Sequence, residues 1–206
     1  MTHSNTTSTN GGHMRRIGLV LALGAVALMV APATGMAATF GAKLNSTIQP
    51  SNSLPAQKCV FGQPAEPCTR VSMDAYNNAG HEQAPKDGVI SKVKLIAGGP
   101  GQFRLQLAKA KPNKDKAKIV EQGPKLHYQG QGASFDEPYK VESFHVNVPV
   151  DKGEYLAIKS RKTSMLRCSS GGPNQFLFQP ALSVGGPFQT LDYTDGCWLL
   201  LEAVYK

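Results

Sequence analysis

The densest chemical signal in the chain is a run of lysines. Lys109, Lys111, Lys114, Lys116 and Lys118 fall within ten residues, and Asp115 is the one acid among them. Amines at this density attract polyanions: acidic or teichoic-type polymers of a cell envelope, anionic lipid headgroups or nucleic acid. The run has no interleaved aromatics on which bases would stack, so nucleic acid is not the expected partner. Pro112-Asn113 in its middle reads as a turn, which places the lysines at an exposed hairpin tip. A solvated loop that keeps a sheet edge soluble is the plainer reading of the same residues.

Other residue types point away from catalysis. His81-Glu82 opens an H-E-x-x-H pattern, but Pro85 stands where the second zinc ligand belongs. The Gly-x-Ser-x-Gly elbow of serine hydrolases does not occur, nor does a phosphate-binding or dinucleotide-binding glycine loop. Asp136 and Glu137 are a poor acid pair, because neighbours in an extended strand point to opposite faces. Asp192-Tyr193-Thr194-Asp195-Gly196 reads as a turn. As a calcium site it would supply only two carboxylates toward the six to eight oxygens such an ion takes. The expectation is no catalytic residue, no metal and no cofactor.

Four cysteines, Cys59, Cys68, Cys168 and Cys197, have none of the close spacings of a zinc site. An even count in an exported chain reads as disulfides. The favoured pairs are Cys59–Cys68, which brackets the Pro/Gly-containing segment VFGQPAEP, and Cys168–Cys197. Closing loops of those lengths stabilises by about 2.7 and about 3.6 kcal/mol in the chain-entropy picture.

Export is itself written in the first 38 residues. A polar stretch leads to Met14-Arg15-Arg16, then to fourteen uncharged, mostly apolar residues from Ile17 to Val30, then to a small-residue exit ending Met36-Ala37-Ala38. This is the layout of a secretory signal peptide, with Met1 or Met14 as the start. The apolar run is shorter than the ~20 residues of a spanning helix, so no membrane anchor is expected after cleavage. Residues 39–206 then form a single domain that keeps 20 of the 22 bases and all 14 acids, a formal charge of +6.

The body of the chain must position these groups, and its pattern is β. Twenty-one glycines and fourteen prolines among 206 residues exceed average usage. No segment sustains a helical apolar period. Alternation recurs instead: Val89, Val93 and Leu95 against Lys92 and Lys94; Phe103, Leu105 and Leu107 against Arg104 and Gln106; Phe144, Val146, Val148 and Val150 against His145, Asn147 and Pro149. His145 therefore belongs on a wet face. Trp198 to Tyr205 begins apolar on both faces, as a central strand does. The pentapeptide pattern Gly-Gly-Pro-x-Gln occurs at 98–102, 171–175 and 185–189 and reads as a reused turn. Pro149 and Pro180 mark edges or strand ends.

Together these features predict an all-β, two-sheet antiparallel sandwich of about eight to ten strands. The strand pair GVISKVKLIAGGPGQFRLQL, the strand–turn–strand FHVNVPVDKGEYLAI and the closing CWLLLEAV resemble secreted actinobacterial β-sandwich domains of jelly-roll type that have no assigned activity. The resemblance implies an extracellular setting and brings no site residues. The expected protein is a monomeric, secreted, non-catalytic binding or cell-surface protein, drawn to anionic envelope polysaccharide through Lys109–Lys118. A module for neutral glycans is the alternative, with Tyr128, Tyr139, Tyr155 and Tyr193 as candidate stacking residues. A purely structural envelope component is a further one.

Overall fold

The structure, a computed structural model, describes residues 37–44, 57–59, 66–73, 81–131, 140–168 and 175–206. All belong to one compact unit, Gly35–Lys206. Residues 1–36 of the expected signal peptide (1–38), Asp136, Glu137 and Tyr139 lie outside the described residues. Among those described there is no helix. The chain runs through β1 (Ala38–Gly41), β2 (Gln57–Lys58), β3 (Cys68–Ser72), β4 (Gly88–Leu95) and β5 (Gly101–Ala110). It continues through β6 (Lys116–Tyr128), β7 (Glu142–Val150), β8 (Tyr155–Ser160), β9 (Lys162–Thr163) and β10 (Leu166–Cys168). It closes with β11 (Gln175–Phe178), β12 (Gln189–Thr190), β13 (Tyr193–Asp195), β14 (Cys197–Leu199) and β15 (Leu201–Tyr205). Nine of the fifteen have four residues or more, within the expected eight to ten. The other six are two- and three-residue pairings too short to show a period.

Two antiparallel sheets pack face to face. One has four strands in the order β1-β15-β4-β7, and the other seven in the order β12-β6-β5-β8-β3-β11-β13. Ribbons β10-β14 and β2-β9 complete the pairing. Between the sheets lies the main core. Ile90, Val93, Leu95, Val148, Val150, Leu201, Ala203 and Tyr205 meet Phe103, Leu105, Leu107, Leu126, Leu156 and Ile158, all buried. Phe40 packs edge-on to Tyr205 with ring centroids 5.6 Å apart.

The seven-stranded sheet is also covered on its outer face, over part of its area. There Val71, Ala108, Ala117, Ile119, Tyr155, Ala157, Phe176 and Phe178 form a second cluster under Leu182. This explains why Gln106, expected on a wet face, is fully buried. Its amide accepts from the Thr69 hydroxyl at 3.0 Å and donates to Leu182 C=O and to Gln122, each at 3.3 Å.

Alternation predicts the inner face of β5 and β7 correctly, and His145 is exposed as expected. It fails once in β4. Pairing with both neighbours shifts register between Ile90 and Lys92, so the buried residue is Ile90 and Val89 is only half-buried. The segment from Trp198 to Tyr205 is not one strand. Leu200 breaks it by donating its N–H to Met165 C=O at 2.7 Å. β14 then pairs with β10, while β15 lies between β1 and β4. Trp198 is half-buried beside a small satellite cluster of Ala42, Ile96 and Leu200. Pro149 sits in the edge strand β7, and Pro180 follows the end of β11. The Gly-Gly-Pro-x-Gln turns lead into strands, since Gln102 lies in β5, Gln175 opens β11 and Gln189 opens β12.

Cys59 and Cys68 form the expected disulfide. The Cys59 N–H also donates to Arg161 C=O at 3.1 Å, and β2 pairs with β9. The bridge thereby pins the start of β3 to the chain leaving β8. Cys197 is disulfide-bonded, and the backbone register sets Cys168 directly opposite it. Replacing Cys59 and Cys68 together by serine is expected to cost about 2–3 kcal/mol. Denaturant unfolding of the oxidised double variant reads this directly. A change below about 0.5 kcal/mol would mean that β2-β9 pairing alone holds the segment.

Candidate functional site

The lysine run forms the tip of the hairpin between β5 and β6. Lys111-Pro112-Asn113-Lys114 turns the chain, with the Lys114 N–H donating to Lys111 C=O at 2.8 Å and the Lys111 N–H to Lys116 C=O at 2.9 Å. Proline suits the second place of such a turn because its φ is already set. Lys114 completes the reversal at φ 56°. Register places Lys109 opposite Lys118, at the end of the inner-face series Phe103, Leu105 and Leu107.

The five lysines do not act alike. Lys109 meets Asp151 at 3.0 Å and Glu154 at 3.4 Å, in the turn joining β7 to β8. Lys114 meets Glu82 at 3.3 Å and Met73 C=O at 3.5 Å. Asp115 is therefore not the only acid offsetting the run, since three more arrive from distant segments. Lys111 and Lys118 place their ammonium groups 4.4 and 5.1 Å from the centre of the Phe188 ring, a favourable arrangement for cations over a π face. Phe188 comes from the third Gly-Gly-Pro-x-Gln turn, which β12 docks against Lys116 and Ala117 of β6. Lys116 is exposed. Three amines, those of Lys111, Lys116 and Lys118, thus have no ion pair among the described residues.

A second basic surface lies on the outer face of the same sheet, where the cover provided by Leu182 ends. Register aligns Lys125 of β6, Arg104 of β5 and Lys159 of β8 in one cross-strand row. With Arg161, Pro67, Gln102, Phe103 and Ser160 they line a groove of about 410 Å³. No acid lines it, and none of its four cations has an ion pair among the described residues. No local motif marks this cluster. Only strand pairing brings its members together, and a single arginine or lysine in an alternating strand reads as an ordinary solvent-facing residue.

The remaining candidates do not converge. Tyr128 is buried in the main core with its hydroxyl accepting from the Ser164 N–H at 3.3 Å, and Tyr155 is buried on the outer face, whereas Tyr193 is 55% exposed. These three do not line a common sugar site. The 192–196 segment is largely strand rather than turn, with β13 paired to β11. Asp192 accepts from the Gln179 N–H at 2.7 Å, while Asp195 accepts from Arg70 at 3.2 Å and from the Cys197 N–H at 3.1 Å. The two carboxylates serve different partners.

Arg70 is fully buried, on the inner-face side of β3. Burial lowers its pKa from the usual guanidinium value, against the attraction of Asp195. Burial likewise raises the Asp195 pKa, more than Arg70 and the Cys197 N–H pull it down. The pair is thus one whose desolvation outweighs its attraction. Glu154, 3% exposed, behaves the same way: burial pushes its carboxyl up, although the Asp151 N–H and Lys109 favour the charged form. The Lys109 amine is raised, chiefly by its bond to Asp151.

Compared with known proteins, the chain matches no family model, no curated protein and no solved structure.

A carboxyl raised in the folded state contributes stability that is full below the ordinary carboxylate range and is lost as pH rises through its folded value. Glu154→Gln removes that titration. The wild type is therefore expected to lose stability relative to Glu154→Gln between about pH 4 and about pH 7, the side on which ordinary glutamate ionises. Chemical unfolding at a series of pH values checks the sign. A wild type that gains over this range would mean that Lys109 dominates burial.

Proposed function

We propose that this chain is an exported, non-catalytic protein that binds anionic polymers of the cell envelope as a monomer. The observation that carries the reading is the hairpin tip, where Lys111, Lys116 and Lys118 stand without acidic partners among the described residues. Coulomb attraction is the mechanism, and the hairpin offers it without disturbing the core. Export is supported by the leader pattern. The buried Cys59–Cys68 bridge supports it too, because such bonds persist in oxidising compartments. The neutral-glycan alternative draws less support, since two of its four tyrosines are buried in separate clusters.

The test is retention on immobilised anionic and neutral polysaccharides at about 50 and about 500 mM salt, a range that shortens the screening length roughly threefold. Retention on anionic polymers should be strong at low salt and lost at high salt. The Lys111→Gln/Lys116→Gln/Lys118→Gln variant should elute at clearly lower salt with its unfolding midpoint nearly unchanged. Salt-insensitive retention of a neutral glycan would overturn the reading, as would no retention at all.

A further inference from the structure

We infer that the groove on the outer face of the seven-stranded sheet is a second, structurally distinct anion site, which takes a compact phosphate- or sulfate-bearing sugar unit. This deepens the proposed function by naming a group that an anionic polymer would present, yet it stands on different residues from the hairpin.

The argument begins with register. Directly opposed residues on neighbouring strands hold their Cβ atoms about 5 Å apart. The row Lys125–Arg104–Lys159 therefore packs three positive charges side by side across about 10 Å of sheet. Like charges in direct opposition are destabilising. Other cations carried by strands of this protein do have acids beside them: Lys94 lies beside Glu202 at 2.8 Å, Arg70 beside Asp195 at 3.2 Å, and Lys109 beside Asp151 and Glu154. The groove cations have no such partner among the described residues, and an external anion is the missing counter-charge.

The shape of the site narrows the ligand. Its volume of about 410 Å³ falls within the range of small-molecule sites. Pro67 gives it apolar wall and Gln102 adds an amide, while the Phe103 ring is buried on the other face in the main core. Arg104 and Lys159 are half-buried, whereas Lys125 and Arg161 are exposed at the rim. A guanidinium flanked by ammonium groups suits tetrahedral oxyanions, whose oxygens accept a fork of two N–H bonds together with point charges. The site is also braced. Cys59 holds the backbone of Arg161, the disulfide joins Cys59 to Cys68, and Pro67 precedes Cys68. Cations on paired strands, tied at one end by a covalent bridge, keep their geometry in the absence of ligand.

The experiment uses sucrose octasulfate and inorganic tripolyphosphate as compact probes and trigalacturonate as a carboxylate control. Affinities are read by calorimetry on the oxidised protein at about 50 mM salt, where charges are least screened. One or both oxyanion probes should bind at least about tenfold tighter than the carboxylate, a gap of ~1.4 kcal/mol. The preferred probe then tells whether sulfate or phosphate is the better ligand. Arg104→Gln/Lys159→Gln should lower that affinity by about tenfold or more, one to two charge-assisted bonds' worth. The hairpin triple variant should keep it within about twofold. Lys125→Gln, at the exposed rim, gives a second reading that does not depend on altering half-buried positions. Equal loss in the groove and hairpin variants would overturn the inference in favour of diffuse attraction. Unchanged affinity in the groove variants would overturn it while leaving the hairpin reading intact, and loss in the hairpin variant alone would do the same.

Discussion

The rest of the structure depends on the need to cover the seven-stranded sheet on both faces. Its central strand β8 shows why. Leu156 and Ile158 face the four-stranded sheet, while Tyr155 and Ala157 face outward, and all four are buried. A sandwich of two sheets supplies a cover for only one of these faces. The other cover comes from the irregular segment carrying Leu182, which satisfies its own backbone by accepting from Gln106 through Leu182 C=O and donating the Leu182 N–H to Thr69 at 3.0 Å. Buried polar side chains on this face are therefore the fastening of a lid of chain over a sheet. They are tolerable because their hydrogen bonds are made.

The limits of the two covers decide where charge can sit. Arg70 and Arg104 make the comparison, since both lie in strands of the same sheet. Arg70 falls under cover on the inner side, and its guanidinium is matched by Asp195. Removing either partner alone would strand a charge in a dry place. Arg104 falls just beyond the outer cover and keeps access to water, which removes the obligation to pair. The same side chain is thus a structural ion in one position and an available one in the other. The difference arises from where Leu182 and the four-stranded sheet stop.

Much of this fold is legible in the residues, because alternation and turn chemistry are local properties. The β5–β6 hairpin follows from Pro112-Asn113 and the flanking periods, and the inner faces of β5 and β7 follow from parity alone. What escapes is whatever depends on a partner far along the chain. The β4 irregularity reverses parity at Ile90 without any residue that announces a bulge. Burial of Gln106 requires the segment at Leu182. The partial neutralisation of the lysine run requires Glu82, Asp151 and Glu154, none of them near it in sequence. The groove is the extreme case, since Lys125, Arg104 and Lys159 become neighbours only through register. A one-residue slip of any of the three strands would move its cation to the opposite face.

The two basic surfaces differ in what their geometry can do. At the hairpin tip Lys116 is exposed, while Lys111 and Lys118 lie over the Phe188 ring without an acidic partner among the described residues. In the proposed reading their contribution would be to the field that draws a polyanion in, which is long-ranged, tolerant of ligand shape and weakened by salt. The groove cations stand on three hydrogen-bonded strands, two of them half-buried beside apolar wall. Less of their charge is screened by water, and less ordering is needed when an anion arrives. Attraction and recognition are usually carried by different parts of an interface. In the proposed reading they would fall on opposite faces of one sheet, because Lys109, at the base of the tip, follows the parity of Phe103 and Leu105, whereas Arg104 has the other. A polymer held at both places must therefore pass around an edge of that sheet. The edge beside them is β6, on which β12 pairs over only Lys116 and Ala117. Among the described residues no further strand pairs with β6 between Val120 and Lys125.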